Sequence, residues 1–486
     1  MRRVVFYLFT LIYLVFCPVL IMYALGYIYQ PGEHQGIVKT GLIYLSTAPS
    51  GASIYLGSSR FTKKTPAVLP DLLPGLYPVR LTLKKYRTWS EVLPIEKGKA
   101  TVLEQILFVP EALEQKQLLD GSFSDLIPLN GTRYFLVSKG NTLRDLYVYD
   151  WKDEKIWPLV PSRSPFSGAK WNHPVLVDKS PALFLEIRTD DQKRYLWVVL
   201  KGRGESEMRD VTDLLPEEVE NVQCDPQEKK HLFFLSGHTL NRLTVNSREP
   251  YSVVLENVRS YGLFEKEIYL LKSDHSFTLM DLEGKKEKQL LRDPGLGEAL
   301  FGDGRKYAVR IYSDDMIFFW SSDGELLSNH LPYRLIKEGV LEARYHSKTK
   351  RLLVWKDDAI GVLDFSKERD EKSVFESGPK LVWVFRKGKN IKQAYWVYEG
   401  SHIVFRDENE VFLLELETYG KPHLYPLLEV KPKSSVAYLE ETGKLYILKR
   451  STGELSEAEL VPKLEILQLP FPERREETKK SEIVEL

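Results

Sequence analysis

The sequence predicts an all-β chain behind one N-terminal transmembrane helix: a small β-sandwich, then a β-propeller of eight blades, with seven as the alternative. Three observations carry this. An uncharged run from Val4 to Leu25 follows Arg2 and Arg3. Beyond it, Val, Ile, Tyr, Phe and Thr recur in short runs broken by Gly, Asp, Asn and Pro, which is strand composition. From about Ser124 onward, a unit of four such runs repeats to near the C-terminus.

The N-terminal run is long enough to cross a hydrocarbon core, since about twenty apolar residues at helical rise match its thickness. A cleaved secretory signal has a shorter apolar stretch, roughly 7–15 residues, and a small-x-small cleavage site. Tyr23 to Tyr27 offer no such site, and Leu14, Val15 and Phe16 before Cys17 exclude a lipobox. An uncleaved signal anchor over residues 1–29 is the better reading. Pro18 is tolerated inside a lipid-embedded helix. Tyr23, Tyr27 and Tyr29 fall where interfacial aromatics belong, and Arg2 and Arg3 hold the N-terminus inside. The expected location is the bacterial cytoplasmic membrane, with the bulk of the chain extracytoplasmic and Val4–Leu25 in contact with the bilayer.

The chain of 486 residues has 68 basic and 68 acidic side chains, so no strong field recruits nucleic acid. Cys17 lies in the expected span, leaving Cys224 alone outside it. No intrachain disulfide framework can then form, and Cys224 reads as a core residue.

After a linker over residues 30–40, residues 41–110 read as a compact β-domain. Gly41–Ser46 and Ser53–Gly57 are strands around the turn Ala48-Pro49-Ser50-Gly51-Ala52. Thr65-Pro66 and Leu73-Pro74-Gly75-Leu76-Tyr77 punctuate the middle, with Pro-Gly expected to set a tight turn with positive φ at Gly75. Pro78–Lys84 and Glu91–Ile95 follow as strands. This order of features resembles the PEGA domain, a small β-sandwich module of bacterial exported and membrane-anchored proteins. The resemblance rests on Pro49, Gly51, Ala52, Thr65-Pro66, Pro74-Gly75-x-Tyr77, Lys85-Tyr86 with Trp89, and the closing Leu107-x-x-Pro110. Ser50 departs from the family's glutamate, and Lys85 stands where glycine is usual before the tyrosine. The resemblance implies a structural or binding module without catalytic residues.

Residues 115–470 read as the propeller. The second and third runs of each unit are clearest: 133–138 with 143–150, 181–187 with 194–200, 231–235 with 240–245, and 267–272 with 277–282. Next come 306–313 with 316–321, 351–356 with 359–365, 401–406 with 411–417, and 444–450 with a weak partner after Gly453. Four-stranded units at this period are propeller blades, which need neighbours to bury both faces. Gln117-Leu118-Leu119 matches Gln289-Leu290-Leu291 at the outer position of the fourth unit, so a 115–120 strand is expected to complete the last blade. A long sandwich or a pair of β-domains is the remaining choice. Residues 471–486 are charged and read as a disordered tail.

Chemistry is sparse. Asp190-Asp191, Asp314-Asp315, Asp357-Asp358 and Asp274-His275 are expected between second and third strands. There Asp favours tight turns, although such a ring of acids on one face could bind a cation or sugar. No H-E-x-x-H, C-x-x-C or calcium loop occurs, and neither His173 nor His238 has a second ligand at useful spacing. There is no G-x-S-x-G elbow, and the loop pairs Gly202/Gly204 and Gly295/Gly297 complete no phosphate cradle. Asn130-Gly131-Thr132 fits a glycosylation sequon and, more simply, a hairpin turn. Trp151, Trp157, Trp171, Trp197, Trp320, Trp355, Trp383 and Trp396 are expected at blade interfaces, with Trp151 and Trp171 the candidates for a glycan platform. No catalytic, cofactor-binding or metal-binding residue is assigned, and no cofactor is expected. The expected function is a non-enzymatic binding or scaffold protein of the envelope, with an envelope protein or wall polymer as partner. An envelope hydrolase or lyase with a propeller-centre site is the alternative, disfavoured by the mainly apolar inner runs near 125–129, 175–178 and 340–345. A purely mechanical spacer acting through the tail is the third reading.

Overall fold

The computed structural model describes residues 2–29, 36–365, 380–430 and 434–462, except positions 130, 162, 173, 178–179, 190–191, 203, 292, 303, 315, 417, 421 and 450. At residues 2–5, 8, 294 and 380 it describes the backbone alone. Asn130, His173, Asp190-Asp191, Asp315 and the 471–486 tail therefore lie outside the described residues.

Helix α1 spans Arg2–Ala24, with Pro18 inside it. Phe6, Phe9, Leu14, Phe16 and Leu20 each stand more than half exposed. Among the described residues, no helix is long and apolar enough to cross a membrane, so the transmembrane span expected over Val4–Leu25 is not shown. The helix exit is tied down, not loose. Gly26, at φ +81°, accepts hydrogen bonds from the backbone N–H and the hydroxyl of Thr40. Tyr27–Tyr29 pairs antiparallel with Ile37–Lys39, so part of the expected 30–40 linker is a strand.

The small domain is a sandwich of two sheets. Gly41–Ala48 lies between Ala67–Leu72 and the parallel Ala100–Leu107; facing it are Ser59–Lys64, Ser53–Leu56, Gly75–Thr82 and Trp89–Ile95 in that order. Period-two alternation puts Ile43, Leu45, Leu69, Leu81, Leu93 and Ile106 into its core. Thr65 knits the first turn: its hydroxyl meets that of Thr47 at 2.6 Å and accepts from Ala52 N–H. Gly75 has φ +158°, close to extended, because it begins a strand and is not the left-handed corner expected of Pro-Gly.

The rest of the described chain forms eight sheets in sequence order. Seven are built from consecutive strands; the inner position of the second is split between Lys170–Trp171 and Val175–Leu176. The eighth takes Ser435–Leu439, Lys444–Leu448 and Leu455–Glu459 from the C-terminal end and Gln115–Leu119 from the N-terminal end. Alternation then closes the ring. In the first blade, Leu136 packs with Leu185 and Val198 of the second, while Phe135 and Val137 pack with Tyr446 and Leu448 of the eighth. Each successive pair of blades shares a buried cluster in the same way. These eight sheets form an eight-bladed β-propeller.

Two expectations change. In the fifth blade, Tyr307–Ser313 and Met316–Ser321 are the first and second strands, not the second and third, and the short strands Leu326–Ser328 and Arg334–Ile336 complete it. Gly295 and Gly297 lie in helix α2, Pro294–Phe301, whose first turn is capped by Asp293 accepting from Gly295 and Leu296 N–H. Proline at the first helical position and aspartate before it are helix-start signals.

Candidate functional site at the sandwich–propeller junction

The residues singled out in the sequence are used structurally. Asp274 accepts hydrogen bonds from the backbone and hydroxyl of Ser276, which hold its carboxyl below the ordinary range and form the turn. His275 pairs with Glu298 of α2 at 2.6 Å. The backbone carbonyls of Asp357 and Asp358 accept from Ile391 and Gly388. Asp314 sits in a hairpin between first and second strands, at the opposite end of its blade from the turns carrying Asp274 and Asp357. The acids therefore do not share one face. Among the described residues no cluster of His, Cys, Asp and Glu could hold a metal ion.

Trp151 and Trp171 both pack against blade-interface cores, and so do the other tryptophans of the series. Cys224 is half-buried, its Sγ donates to the Lys229 carbonyl at 3.3 Å, and burial pushes its thiol up to about 12. On the face formed by turns between first and second strands, His346 contacts the Thr349 hydroxyl at 2.8 Å and Glu440 at 3.4 Å. Thr349 N–H also points to the same ring nitrogen, so this chain braces turns of the sixth and eighth blades.

The densest polar cluster lies elsewhere, where the sandwich meets the seventh blade. Strand Trp89–Ile95 places Trp89, Glu91, Leu93 and Ile95 on one face, so a carboxylate stands on a side otherwise buried. In the blade, Glu415 and His423 are direct cross-strand partners, with Tyr425 two residues on. The Trp89 indole N–H donates to both Glu415 oxygens, 3.0 Å from each. His423 Nδ1 is 2.9 Å from Glu415 Oε2, and its Nε2 is 3.0 Å from Glu91 Oε2. The second contact is close yet out of line for a hydrogen bond, so it is chiefly electrostatic. Tyr425 donates to Glu415 at 3.4 Å, and the Trp89 and His423 rings meet edge to face.

Glu415 and Glu91 are 1 % and 9 % exposed, so neither charge is dissipated by water. Glu415, through its hydrogen bond and its charge, raises the His423 pKa above 6.5 against the opposing effect of burial. Glu91 is raised above the ordinary carboxylate value by burial, only partly offset by His423. The two shifts differ in cause: His423 gains a partner, whereas Glu91 is too buried for its misaligned partner to compensate. Burial and Glu415 also raise Tyr425. Beside the polar cluster, Ala48, Leu107 and Val109 join the core shared by the seventh and eighth blades, so the two domains have a common apolar seam.

The sandwich can be named from its residues. Residues 40–107 match the PEGA domain. The remaining length shows likeness to solved propellers. The Myceliophteria thermophila Cps50 (Swd1) β-propeller domain is 12% identical over 72% of this chain and 99% of its own, with a TM-score of 0.41. The Dos1 propeller is 12% identical over 72% and 94%, TM-score 0.44, and BamB from Moraxella catarrhalis 10% over 71% and 98%, TM-score 0.40. No curated protein matches the chain. The PEGA junction was not expected from sequence. Its one visible signal is Glu91, a charge in phase with Trp89, Leu93 and Ile95 on the buried side of a strand.

Proposed function

We propose that the chain is a membrane-anchored scaffold or binding protein of the bacterial envelope, without catalytic activity. Helix α1 holds it in the bilayer with the N-terminus inside, and the PEGA domain and propeller stand outside as one docked body. The partner is an envelope protein or a wall polymer, held on a propeller face. The supporting observation is α1 itself. Twenty-three helical residues, at about 1.5 Å each, reach about 34 Å, and Phe6, Phe9, Leu14, Phe16 and Leu20 are exposed among the described residues. Hydrogen bonds from Thr40 to Gly26 then couple the helix exit to the first sheet of the PEGA domain. In the ring, the Asp274 carboxylate caps its turn and the described tryptophans pack at blade interfaces, which favours binding over chemistry.

Two measurements test this. Alkaline phosphatase fused after Leu486 is expected to be active, and a fusion active only as a cytosolic reporter would overturn the orientation. Full-length protein in detergent is expected to co-sediment with purified peptidoglycan or to cross-link in vivo to one envelope protein. Failure of both would remove the binding function.

A further inference from the structure

The junction is built so that its integrity depends on one proton. His423 is flanked at both ring nitrogens by carboxylate oxygens, Glu415 at 2.9 Å and Glu91 at 3.0 Å. A neutral imidazole carries one N–H, so it can face only one of them with a donor; the other would meet a nitrogen lone pair. The arrangement is favourable when His423 is an imidazolium, or when Glu91 is protonated and brings no charge to Nε2. In either state the Glu91–His423 pair holds one proton beyond the fully deprotonated state. Removing it leaves two buried carboxylates about a neutral ring. The proton belongs to the pair.

Among the described residues one neighbour shares the ring. Trp89 donates to Glu415 alone, whereas the Tyr425 hydroxyl lies 3.4 Å from Glu415 Oε2 and 3.3 Å from His423 Nδ1, so it meets that end of the ring and supplies nothing between Nε2 and Glu91. Arg87 is close enough to lower the Tyr425 pKa. On the blade loop, Gly420 lies beside Glu91 Oε1, and positions 417 and 421, Glu and Lys, are outside the described residues. Protons can exchange with solvent through His423, whose side chain is 25 % exposed.

We propose that the PEGA domain is a proton-latched arm: it stays docked on the seventh blade while Glu91 and His423 share a proton, and lifts from it when that proton leaves. The apolar contacts of Leu107 and Val109 lie on the segment leading to Gln115–Leu119, so they act as the pivot, while Trp89 and Glu91 form the part that separates from Glu415 and His423. The device would set the spacing between the bilayer anchor and the ring according to the pH outside the membrane. The docking behaviour does not depend on the partner proposed above.

The test is a spin-label distance measurement on the full chain in detergent. Labels go on Lys63→Cys in the PEGA domain and Ser252→Cys in the third blade, with Cys17→Ala and Cys224→Ala as background. At about pH 6 one narrow distance is expected, with more than about nine-tenths of molecules docked; by about pH 9 the docked fraction should fall below about half. Glu91→Gln keeps the shape and removes one charge, so it is expected to stay docked at both values. A wild-type distribution unchanged across this range would overturn the proposal, as would an equal shift in Glu91→Gln. Broadening of a pair confined to the ring, Ser252→Cys with Lys348→Cys, would mean that the ring itself unfolds, and would overturn it too.

Discussion

Trp89 of the PEGA domain donates its indole N–H to Glu415 of the seventh blade, 326 positions away, at 3.0 Å from each carboxylate oxygen. Both side chains are almost fully buried, at 2 % and 1 % exposure. A carboxylate so deeply placed keeps its charge only if donors surround it, and the PEGA domain supplies one of them. The junction is thereby part of the fold of both domains.

Trp89→Phe should therefore destabilise the full chain by about 1–3 kcal/mol, the cost of leaving a buried acceptor short of a donor. The loss of ring volume adds a packing cost, so the informative quantity is the coupling with Glu415→Gln. A double-mutant cycle in urea is expected to give a coupling of about 1–2 kcal/mol. Additive effects would show that the contact carries no energy.

Stability should also fall as pH rises through neutrality. The His423 pKa is raised in the folded chain, so its contribution is complete below the unfolded value of 6.5 and is lost as pH rises through the folded value. Glu91 is raised above 4.5, and its ionisation on going upward in pH opposes folding as well. The two signs agree. Calorimetry of the full chain should show a melting temperature that declines between about pH 6 and pH 8, with a flatter profile for His423→Gln. A melting temperature that climbs over this range would contradict the assignment.

Local periodicity is what made the ring legible. Pairs such as 231–235 with 240–245 are close in sequence, and each strand alternates residues that must be buried on two sides. The fifth blade shows the limit of that reading. Its first hairpin, 307–321, is as apolar as the central hairpin of any other blade, and its outer strands have three residues each, so the strongest pair was placed one position too far out. Helix α2 carries start signals in Asp293-Pro294, while Gly295 and Gly297 lower its helix propensity. The junction could not be derived at all. It joins Glu91 to residues more than three hundred positions away, and nothing local in Glu415 or His423 distinguishes them from a solvent-facing pair on an outer hairpin.

Lys85 offers a cleaner test of local backbone. It sits at φ +73°, where a side chain is unfavourable, just before Tyr86, whose backbone bridges to Pro110. Glycine is the residue that the PEGA resemblance implies at this position. Lys85→Gly should stabilise the chain by about 0.5–1 kcal/mol, since relief of a left-handed penalty of about 1–2 kcal/mol exceeds the extra unfolded-state entropy of glycine. Chemical denaturation measures this directly. A destabilised Lys85→Gly would mean that the lysine makes a compensating contact.

The last prediction concerns closure of the ring. Gln115–Leu119 is the outer strand of the eighth blade, and Leu118 and Leu119 pack half-buried against the core that joins the eighth and first blades. An outer strand elsewhere is a dispensable edge: Val253, on the rim of the third blade, is 59 % exposed. The closing strand differs because it comes from the other end of the chain and ties the last blade into the ring. Replacing Leu118 and Leu119 together by Ala should cost about 2–4 kcal/mol, whereas Val253→Ala should stay within about 0.5 kcal/mol. If closure holds the ring as one unit, the loss will appear as an earlier transition of the whole propeller with an unchanged denaturant slope. A separate early phase confined to the eighth blade would instead show that the strand stabilises only the sheet it completes.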